Sequence, residues 1–551
     1  MEEAGVYNST AYRTFFEHQF TYLAGFHRNV FRFGNQVALL DPPSGRTWTY
    51  AELAADVERA ASALSDRGVG PGDRVMYQLF NGPEFAILYL ATQELAAIGV
   101  PINYRLAPGE VAHVIEDSRP AVYLYDHELQ EVVEQALLRQ PSPLLVAVQA
   151  AEGASLLQNA VRFEDFLSSA SGRIPPLAPS TSTYDETTRL YTSGTTGMPK
   201  GVPLPSIAEV MTAHDVIMHF PLTPHDRTLN MTPWFHRGGL YSGGPNPLFY
   251  VGGAVVPLRA FDAATVLDWV TEYELTFLIG APTTLALLAD EQQRRPRDLG
   301  TLKGIVTMGA PLDRAAALRY QQLLTPRIFN GYGTTEAFWN TFLRPEDLPE
   351  HAGTAGRSCT DDDVAVVKIF GNRRAHPSEL VARDGTESGE LIMRSPKSGF
   401  GYFNLPDLNE EKFFEGWLYP GDVATWDEDG FVTVLGRKDD MIISGGENVH
   451  PVQVEAAMAD HPGVADSIVV GIPDDRWGQR VVAYIVRKDP NLTTAELDAH
   501  CRAHPFLANF KRPRAFRFVE SLPMTATGKK MHFKIAEQAL ADAQADLLEH
   551  V

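Results

Sequence analysis

Residues 191–201 read YTSGTTGMPKG, a run of glycines and small hydroxylated residues that ends in a lysine. Glycine lets backbone N–H groups converge on phosphate oxygens, the hydroxyl groups add donors, and Lys200 adds a positive charge. The nucleotide loop of kinases and ATPases has a different spacing, with Ser or Thr after its lysine, whereas Gly201 follows here. The stretch therefore predicts a phosphate-binding loop, and the alternative is a flexible surface loop.

Patterns on both sides of this loop predict an α/β fold. Upstream, residues 47–126 alternate helical patterns, turns and short apolar strands. Downstream, the same alternation returns at 204–330, with strands expected at 276–280 and 304–308. A stretch rich in Pro, Ser and Thr at 172–184 reads as a linker between the two blocks. Such order builds mostly parallel, helix-covered sheets, so two related subdomains are expected.

Two further segments complete the predicted domain order. From about 360 to 436 the sequence has short strand patterns with glycine turns, which indicates a small β-rich subdomain. Beyond Arg437, strand and helix patterns alternate over a length typical of a separate small domain. The 551 residues also exceed the roughly 250 to 300 that one hydrophobic core holds. We expect a large N-terminal domain over 1–436 and a small, mobile α+β C-terminal domain over 437–551.

The composition limits the classes of partner. The chain carries 47 Lys and Arg against 69 Asp and Glu, and its net charge of −22 disfavours nucleic acid and anionic lipid. Its two cysteines, Cys359 and Cys501, predict neither a disulfide framework nor a zinc site, which fits a reducing cytoplasm. The N-terminus does not resemble a secretory signal, and Gln93 and Glu94 interrupt the apolar stretch 85–102, so no membrane insertion is expected.

Three more motifs follow the first in order, and together they carry a family resemblance. They are YGTTE at 332–336, GD at 421–422 with GRKDD at 436–440, and PMTATGK at 523–529. Most of the chain resembles the adenylate-forming superfamily of acyl-CoA synthetases, peptide-synthetase adenylation domains and firefly-type luciferases. The C-terminal stretches DRWGQ at 475–479 and FKRP at 510–513 are similar to chlorobenzoate–CoA ligase. The resemblance implies that the chain converts an acid and ATP to acyl-AMP, and then transfers the acyl group to CoA.

The resemblance also implies which residues bind ATP. Tyr332 would stack on adenine, and its flanking glycines suit a turn better than a packed strand. Asp422 and Arg437 would hold the ribose hydroxyls, although relatives usually carry threonine at the position of Pro420. The implied ATP set is Thr192, Ser193, Gly194, Thr195, Thr196, Gly197, Lys200, Gly309, Ala310, Pro311, Asn330, Gly331, Tyr332, Gly333, Thr334, Asp422 and Arg437.

Catalysis is implied at Thr335, Glu336 and Lys529, and also at His236 of the acid pocket. Thr335 would donate to the α-phosphate, and Glu336 would bind Mg²⁺, a hard cation that takes carboxylate oxygen. Lys529 would stabilise the negative charge that builds up on the α-phosphorus during adenylation. The alternative for Lys529 is a solvent-facing lysine.

The second half-reaction implies that the C-terminal domain rotates about a hinge at Asp439. Its rotated face would bind CoA, with glycine permitting close approach of the pantetheine chain. The alternative for the two aromatic residues of this face is ordinary packing. The implied CoA set is Ser444, Gly445, Gly446, Glu447, Trp477, Phe510 and Arg512.

The acid pocket is expected beside the nucleotide, with His236 gating the carboxylate. Large rings at Phe338 and Trp339 predict a short pocket for an aromatic or alicyclic acid, unless both rings face the core. Relatives usually carry a small apolar residue where Arg237 stands, so this side chain would meet a second polar group of the substrate or point at solvent. The expected lining is Phe235, His236, Arg237, Ala281, Gly309, Phe338, Trp339 and Asn340.

Several activities remain open at this point. A ring-acid–CoA ligase is preferred over a medium- or long-chain fatty acid–CoA ligase and over an adenylating enzyme that loads a carrier protein. A non-enzymatic nucleotide sensor is disfavoured because Lys529, Glu336 and Asp422 are all present. The expected co-substrates are ATP and CoA, the expected cofactor is Mg²⁺, and the chain is expected to act as a monomer or homodimer.

Overall fold

The computed structural model of the protein describes most of the chain. Within the described residues the strands form four sheets, two large and two small. No helix among these residues is both long and apolar enough to cross a membrane. The described residues are 9–138, 143–177, 180–193, 198–309, 312–399, 401–444, 447–474, 477–504, 507, 509–524 and 530–551.

The first large sheet is mostly parallel, as the sequence predicts. Its central strands are almost entirely buried, which is usual for parallel strands packed between helices. The last two strands are antiparallel and form a hairpin. In spatial order the strands are Ala160–Arg162, Leu144–Val148, Val122–Asp126, Arg74–Gln78, Ile98–Pro101, Glu186–Ser193 and Pro199–Pro205. The helices of this region are Tyr50–Ser65, Pro83–Glu94, Pro108–Ser118, Gln130–Leu137 and Phe163–Ser168.

The second large sheet has parallel strands at its centre and antiparallel strands at both edges. Its strands are Arg357–Ser358, Phe338–Leu343, Ile328–Thr334, Gly304–Met308, Phe277–Gly280, Arg227–Asn230, Ala254–Val255, Val37–Asp41 and Arg46–Thr49. The helices of this region are Ser206–His219, Arg237–Tyr241, Pro245–Val251, Ala263–Glu272, Pro282–Arg294 and Arg314–Leu323, and two more, Ser9–His18 and Tyr22–Phe33, precede the first strand. The expectation of two helix-covered sheets is confirmed.

Buried polar contacts join the two large sheets. The carboxylate of Glu209, on the helix Ser206–His219, accepts hydrogen bonds from Tyr89 at 2.6 Å and Thr188 at 2.6 Å. Tyr241, the last residue of the helix Arg237–Tyr241, donates to the same carboxylate at 3.2 Å. One hydrophobic cluster also contains buried residues of both regions. A buried carboxylate with several donors fixes the two subdomains relative to each other.

The third sheet is small and antiparallel, in agreement with the predicted β-rich subdomain. Its strands are Asp363–Val367, Gly389–Arg394, Trp417–Trp426, Phe413–Phe414 and Val432–Arg437, and the helix Pro406–Lys412 lies between two of them in sequence. The fourth sheet lies beyond it in the chain, with strands Glu447–Val449, Ile442–Ser444, Gly478–Arg487, Val464–Asp474, Ala515–Val519 and Glu549–His550. Its helices are Pro451–Ala459, Thr494–Ala503 and His532–Gln544. The pairing changes sheets between Arg437 and Ile442, next to the boundary predicted at 436/437.

Candidate active site

Two paired strands flank the predicted phosphate loop in the chain. The strands Glu186–Ser193 and Pro199–Pro205 pair up to the Ser193–Pro199 register. The hairpin is attached to the helix Pro108–Ser118, because Tyr191 Oη donates to Asp117 Oδ2 at 2.6 Å. Several predicted residues lie outside the described residues, namely Gly194, Thr195, Thr196, Gly197, Ala310, Pro311, Gly445, Gly446 and Lys529.

Tyr332, Asp422 and Arg437 come together although they lie in three separate motifs. The Tyr332 phenol donates to Asp422 Oδ2 at 2.5 Å, and Arg437 Nη1 donates to Asp422 Oδ1 at 3.0 Å. Burial and the adjacent carboxylate raise the pKa of Tyr332 well above its usual range, so the phenol stays a donor. A carboxylate has about four acceptor positions, so Asp422 can also accept from ribose hydroxyls.

The backbone around Tyr332 differs from the sequence expectation. Tyr332 lies inside the strand Ile328–Thr334, which contains the predicted ATP residues Asn330 and Gly331, and not in a turn. The strand pairs with Phe338–Leu343, with a register shift between Tyr332 and Gly333. A side chain at Gly333 would overlap the Phe338 carbonyl. The glycine therefore permits a close backbone approach within a strand, which is the other common reason for glycine there.

Glu336 is held by a loop that sequence reasoning did not single out. Tyr402 Oη donates to Glu336 Oε1 at 2.6 Å, and the Gly399 amide donates to the Glu336 carbonyl at 2.9 Å. The Phe403 amide donates to the Gly201 carbonyl at 2.8 Å, and the Lys200 ammonium lies 6.0 Å from the centre of the Tyr402 ring. The loop thus joins the hairpin of the predicted phosphate site to the predicted magnesium ligand.

The predicted acid-pocket rings are buried and stacked. The Phe338 and Trp339 rings lie 4.7 Å apart at an angle of 17°, and Trp339 also stacks on Phe342 at 4.6 Å. Trp339 Nε1 donates to Ser242 Oγ at 2.9 Å. Phe338 has a φ of 62°, which is rare for a bulky residue and is typical of functional segments. Both rings belong to the main hydrophobic cluster, and their role as pocket walls stays a prediction.

The other predicted pocket residues lie on three loops. Phe235 packs edge-on against Tyr104 at 5.1 Å, and the His236 ring lies 4.3 Å from Phe235. Ala281 precedes the helix Pro282–Arg294 and is half-buried. Gly309 has a φ of 87° and is exposed after the strand Gly304–Met308, so its backbone is open to a ligand.

Arg237 does not point at solvent, which corrects one of the two expectations for this residue. Arg237 is 4% exposed and lies at the start of the helix Arg237–Tyr241. Nη1 donates to the Thr335 carbonyl at 2.9 Å, and Nη2 donates to the Lys397 carbonyl at 2.6 Å. Burial lowers the pKa of Arg237 to about 10, so the guanidinium remains charged at neutral pH.

A buried ion-pair cluster lies behind this arginine. The Lys397 ammonium contacts Asp362 Oδ2 at 2.8 Å and Asp215 Oδ2 at 3.0 Å, and Asn340 Nδ2 donates to Asp362 Oδ2 at 3.1 Å. Burial by itself lowers the pKa of Lys397, but Cys359 and the two aspartates raise it above its usual value, so it stays an ammonium. Asn340, predicted in the acid pocket, is fully buried in this cluster.

The predicted CoA residues divide into two groups. Trp477 and Phe510 are 40% and 41% exposed, and Ser444 pairs with Gly478 at a strand end. Arg512 is buried instead, and donates to Asp498 and, at 2.8 Å, to Asn509 Oδ1. Asp439, the predicted hinge, lies in an exposed turn 4.0 Å from Arg437 Nη2. Only the backbone of Glu447 is described.

Family models identify the chain. The model described as "AMP-binding enzyme" matches residues 26–403, and the model described as "AMP-binding enzyme C-terminal domain" matches residues 453–529. The chain belongs to the AMP-binding enzyme family. This family is the adenylate-forming superfamily that the motifs predict, and the chain is an AMP-forming acid–CoA ligase.

Similar AMP-binding enzymes differ in the acids after which they are named. A feruloyl-CoA synthase of Amycolatopsis is 34% identical over 88% of this chain and 92% of its own length. A 4-chlorobenzoate–CoA ligase of Arthrobacter is 32% identical over 90% of both chains. A long-chain fatty acid–CoA ligase of Mycobacterium tuberculosis is 30% identical over 91% of this chain and 95% of its own. The structure of an anthranilate CoA ligase with anthranoyl-AMP has a TM-score of 0.85 and 27% identity, covering 95% of this chain and 98% of that one.

Sequence reasoning missed two parts of this AMP-binding enzyme. It did not single out Tyr402, although an aromatic residue within the glycine-containing stretch GFGYF at 399–403 was a visible signal. It also missed Asp215 and Lys397, for which the sequence offers no signal, because each is an ordinary charged residue in its local context. Their pairing appears only when distant segments pack together.

Proposed function

We propose that the enzyme joins an aromatic or alicyclic carboxylic acid to CoA through an acyl-AMP intermediate. The observation that carries the proposal is the convergence of Tyr332, Asp422 and Arg437 within hydrogen-bond distance. Tyr332 lies on the strand that leads directly to Thr335 and Glu336. Adenylation releases pyrophosphate and makes AMP the leaving group. The CoA thiolate then attacks the acyl carbon, the thioester bond forms, and the bond to AMP breaks.

In this proposal the nucleotide is bound by three parts of the large domain. Tyr332 stacks on adenine, and Asp422 with Arg437 holds the ribose hydroxyls. Residues 192–197 and Lys200 surround the β- and γ-phosphates, since backbone amides and a lysine suit phosphate oxygens. Thr335 donates to the α-phosphate, where a donor stabilises the charge that develops during attack.

Glu336 fits a magnesium ligand. Its carboxylate is half-buried, and Tyr402 donates to Oε1, while Oε2 receives no hydrogen bond from the described residues. An anchored carboxylate with one free oxygen suits Mg²⁺, which commonly takes one or two protein carboxylates and several phosphate or water oxygens. When bound, the ion neutralises phosphate charge. Tyr402 keeps the carboxylate in one orientation.

The C-terminal domain supplies the remaining groups of the proposal. Lys529 stabilises the α-phosphorus during adenylation, and rotation about Asp439 then replaces it with the CoA-binding face. Trp477 and Phe510 suit that face because both rings are exposed and can pack on the organic parts of CoA. Arg512 is buried, so its proposed role is to hold the loop that carries Phe510.

Two classes of acid are in competition. A ring acid is supported by the aromatic residues Tyr104, Phe235 and Phe338 around the predicted pocket and by the names of the feruloyl and chlorobenzoate relatives. A long-chain fatty acid is the second candidate, because a relative of similar coverage is a long-chain fatty acid–CoA ligase.

The test is pyrophosphate release with ATP and Mg²⁺ across hydroxycinnamates, benzoates, cyclohexane carboxylates and C2 to C16 fatty acids, each with and without CoA. Lys529→Ala is the matched variant, and Lys534→Ala, an exposed lysine of the same domain, is its control. We expect one ring acid to give the highest kcat/KM, CoA to drive AMP release, and Lys529→Ala to lose adenylation by about 100-fold or more.

The opposite outcomes each overturn a separate part. A preference for C12 to C16 acids overturns the ring-acid assignment and leaves the mechanism intact. Pyrophosphate release without CoA-dependent AMP release overturns CoA as the acceptor and favours a carrier protein. Equal loss in Lys529→Ala and Lys534→Ala overturns the assignment of Lys529.

A further inference from the structure

Arg237 connects two segments that lie on either side of Glu336. Its Nη1 donates to the carbonyl of Thr335, the residue just before Glu336, at 2.9 Å. Its Nη2 donates to the carbonyl of Lys397 at 2.6 Å, and the Gly399 amide two residues later donates to the Glu336 carbonyl. One guanidinium therefore holds the Glu336 backbone directly on one side and indirectly on the other.

The arginine is itself fixed in place. Nη2 also lies 3.3 Å from Thr212 Oγ1, and the guanidinium carbon lies 5.2 Å from the Tyr241 ring and 5.6 Å from the Phe338 ring. Those ring distances are within the range of cation–π attraction. A buried guanidinium with a planar set of donors can hold two carbonyls at once, which a lysine cannot do in the same geometry.

The segment that it holds is strained. Phe338 has a φ of 62°, two residues after Glu336, and its carbonyl lies against the Gly333 backbone. A conformation of this kind is unfavourable for a bulky residue and persists only where the surroundings fix it. Arg237 contacts both the Thr335 carbonyl and the Phe338 ring, so it contacts both ends of the strained segment.

The Lys397 carbonyl is also a rigid partner. The Lys397 side chain is fixed by Asp215 and Asp362, which belong to two other segments of the chain. Because its side chain is anchored, its carbonyl is a fixed acceptor for Arg237. Through this bond the arginine connects the helix Arg237–Tyr241 to the anchored Lys397 backbone of the β-rich subdomain. The predicted magnesium ligand lies between the two.

We propose that Arg237 is a positioning residue that fixes the Thr335–Glu336 segment for the binding of Mg²⁺ and ATP, and does not contact the acid. The inference rests on the proposed function, since it assigns Glu336 to magnesium. It also accounts for a charged residue beside His236, in a stretch where the sequence predicted contact with substrate. Nη1 donates to one protein acceptor and Nη2 to two, whereas the buried Nε has no acceptor among the described residues.

The test compares Arg237→Met, Arg237→Lys and Arg297→Met in the full chain. Arg297 is the control, because its side chain is only 7% exposed and is held by Asp268 and Glu291, away from the residues of the site. For each variant, the Mg²⁺ half-saturation, the KM for ATP, the KM for the acid, kcat and Tm are measured by pyrophosphate release and thermal unfolding.

We expect Arg237→Met to raise the Mg²⁺ half-saturation about 5- to 20-fold and to lower kcat about 10- to 100-fold, as expected for a misplaced catalytic segment. The KM for the acid should change by less than about 2-fold, since the lost bonds are to protein carbonyls. Arg237→Lys should recover part of the Mg²⁺ affinity. Arg297→Met should lower Tm and leave the Mg²⁺ curve unchanged.

Two results would overturn the inference. A raised KM for the acid with an unchanged Mg²⁺ curve would show that Arg237 contacts substrate. A loss of Tm alone, like that of Arg297→Met, would show a packing role only. If the wild type releases no pyrophosphate with any acid, the proposed function fails instead. Calorimetric Mg²⁺-dependent ATP binding to wild type and Arg237→Met then decides the inference by itself.

Discussion

Two arginine–aspartate pairs of this protein have the same chemistry but differ in the exposure of the arginine. The Arg437 side chain is 32% exposed and shares Asp422 with the phenol of Tyr332. The Arg512 side chain is 8% exposed and is held by Asp498 within its own domain. The motifs of the sequence predict both arginines as ligand contacts. Among the described residues, the first pair keeps donor and acceptor positions without a protein partner, whereas Arg512 of the second pair is held by Asp498 and Asn509.

The difference shows what a motif can and cannot indicate. A motif fixes which residues lie close together, because its ordered segments return to the same part of the fold. It does not indicate whether a charged group is open to a ligand, since that depends on the segments that cover it. A buried ion pair that loses one partner leaves an unpaired charge, which costs about 3–5 kcal/mol, whereas an exposed pair contributes about 0–1 kcal/mol.

The largest effect is expected on the ATP side of the comparison, at Glu336. Glu336→Gln keeps the shape of the side chain and removes its charge, so Mg²⁺ loses a carboxylate ligand. We expect kcat for pyrophosphate release to fall by about 100- to 1,000-fold, with a higher Mg²⁺ requirement. Glu428→Gln, at an exposed turn, is the control. A Glu336→Gln variant with normal Mg²⁺ dependence would remove Glu336 from the metal site.

The next prediction compares Asp422 with Asp498, the carboxylates of the two pairs. Asp422→Asn should raise the KM for ATP by about 10- to 100-fold, because the ribose hydroxyls lose a charged acceptor worth about 1.5–3 kcal/mol. Asp498→Asn should leave that KM unchanged but destabilise the protein by about 3 kcal/mol, because the buried guanidinium of Arg512 loses its partner.

Both variants are measured by ATP saturation and by urea unfolding. The comparison depends on the crossed pattern, in which each substitution changes only one of the two quantities. If Asp498→Asn raises the KM for ATP without loss of stability, the Arg512 pair is not structural. If Asp422→Asn mainly destabilises the fold, the Arg437 pair is not a ligand site.

Much of the fold follows from the sequence, because its signals are local. The alternation of apolar strands with amphipathic helices gives both large sheets, and glycine turns give the β-rich subdomain. The local context of Tyr332 was misleading, since its two glycines indicate a turn. Pairing with the strand Phe338–Leu343 overrides that preference and uses Gly333 for close approach. Strand pairing is a non-local property that residue types beside Tyr332 do not express.

The residues of the site likewise fall into those that the sequence could predict and those that it could not. Tyr332, Asp422 and Arg437 belong to three motifs and lie in contact, and their binding of ATP stays a prediction. The contacts of Arg237 could not be predicted, because its acceptors are backbone carbonyls, which every residue has. The hydrogen bond from Tyr402 to Glu336 could not be predicted either, because Tyr402 lies on a loop between two strands of the third sheet, far from Glu336 in the sequence. Side chains that bind backbone leave no pattern in the sequence.

A smaller effect is expected at the exposed rings of the C-terminal domain. Trp477→Ala should raise the KM for CoA about 5- to 20-fold, since a lost aromatic contact costs about 1–2 kcal/mol, and should leave pyrophosphate release without CoA unchanged. Leu540→Ala is the matched control, because Leu540 is 44% exposed on a helix of the same domain. Equal CoA kinetics in both variants would mean that Trp477 is an ordinary surface residue.

The last effect is a pH dependence of stability in the C-terminal domain, beside the loop of Arg512. Burial, with a contribution from Lys511, lowers the pKa of His450 to about 4. Its ordinary pKa is about 6.5, so between pH 6.5 and 4 the unfolded chain binds a proton that the folded chain does not. The stability is therefore complete above pH 6.5 and falls by up to about 3 kcal/mol as the pH drops to 4.

Urea unfolding of wild type and His450→Gln across pH 4 to 8 measures this effect. Glutamine does not titrate, so the variant should lose less stability between pH 6.5 and 4 than the wild type does. His225→Gln, at an exposed position, should retain the wild-type slope. Parallel curves for wild type and His450→Gln would mean that water or a counter-charge reaches the imidazole. The loop that holds Arg512 would then be more open than its buried ion pair indicates, and the contrast with Arg437 would be weaker.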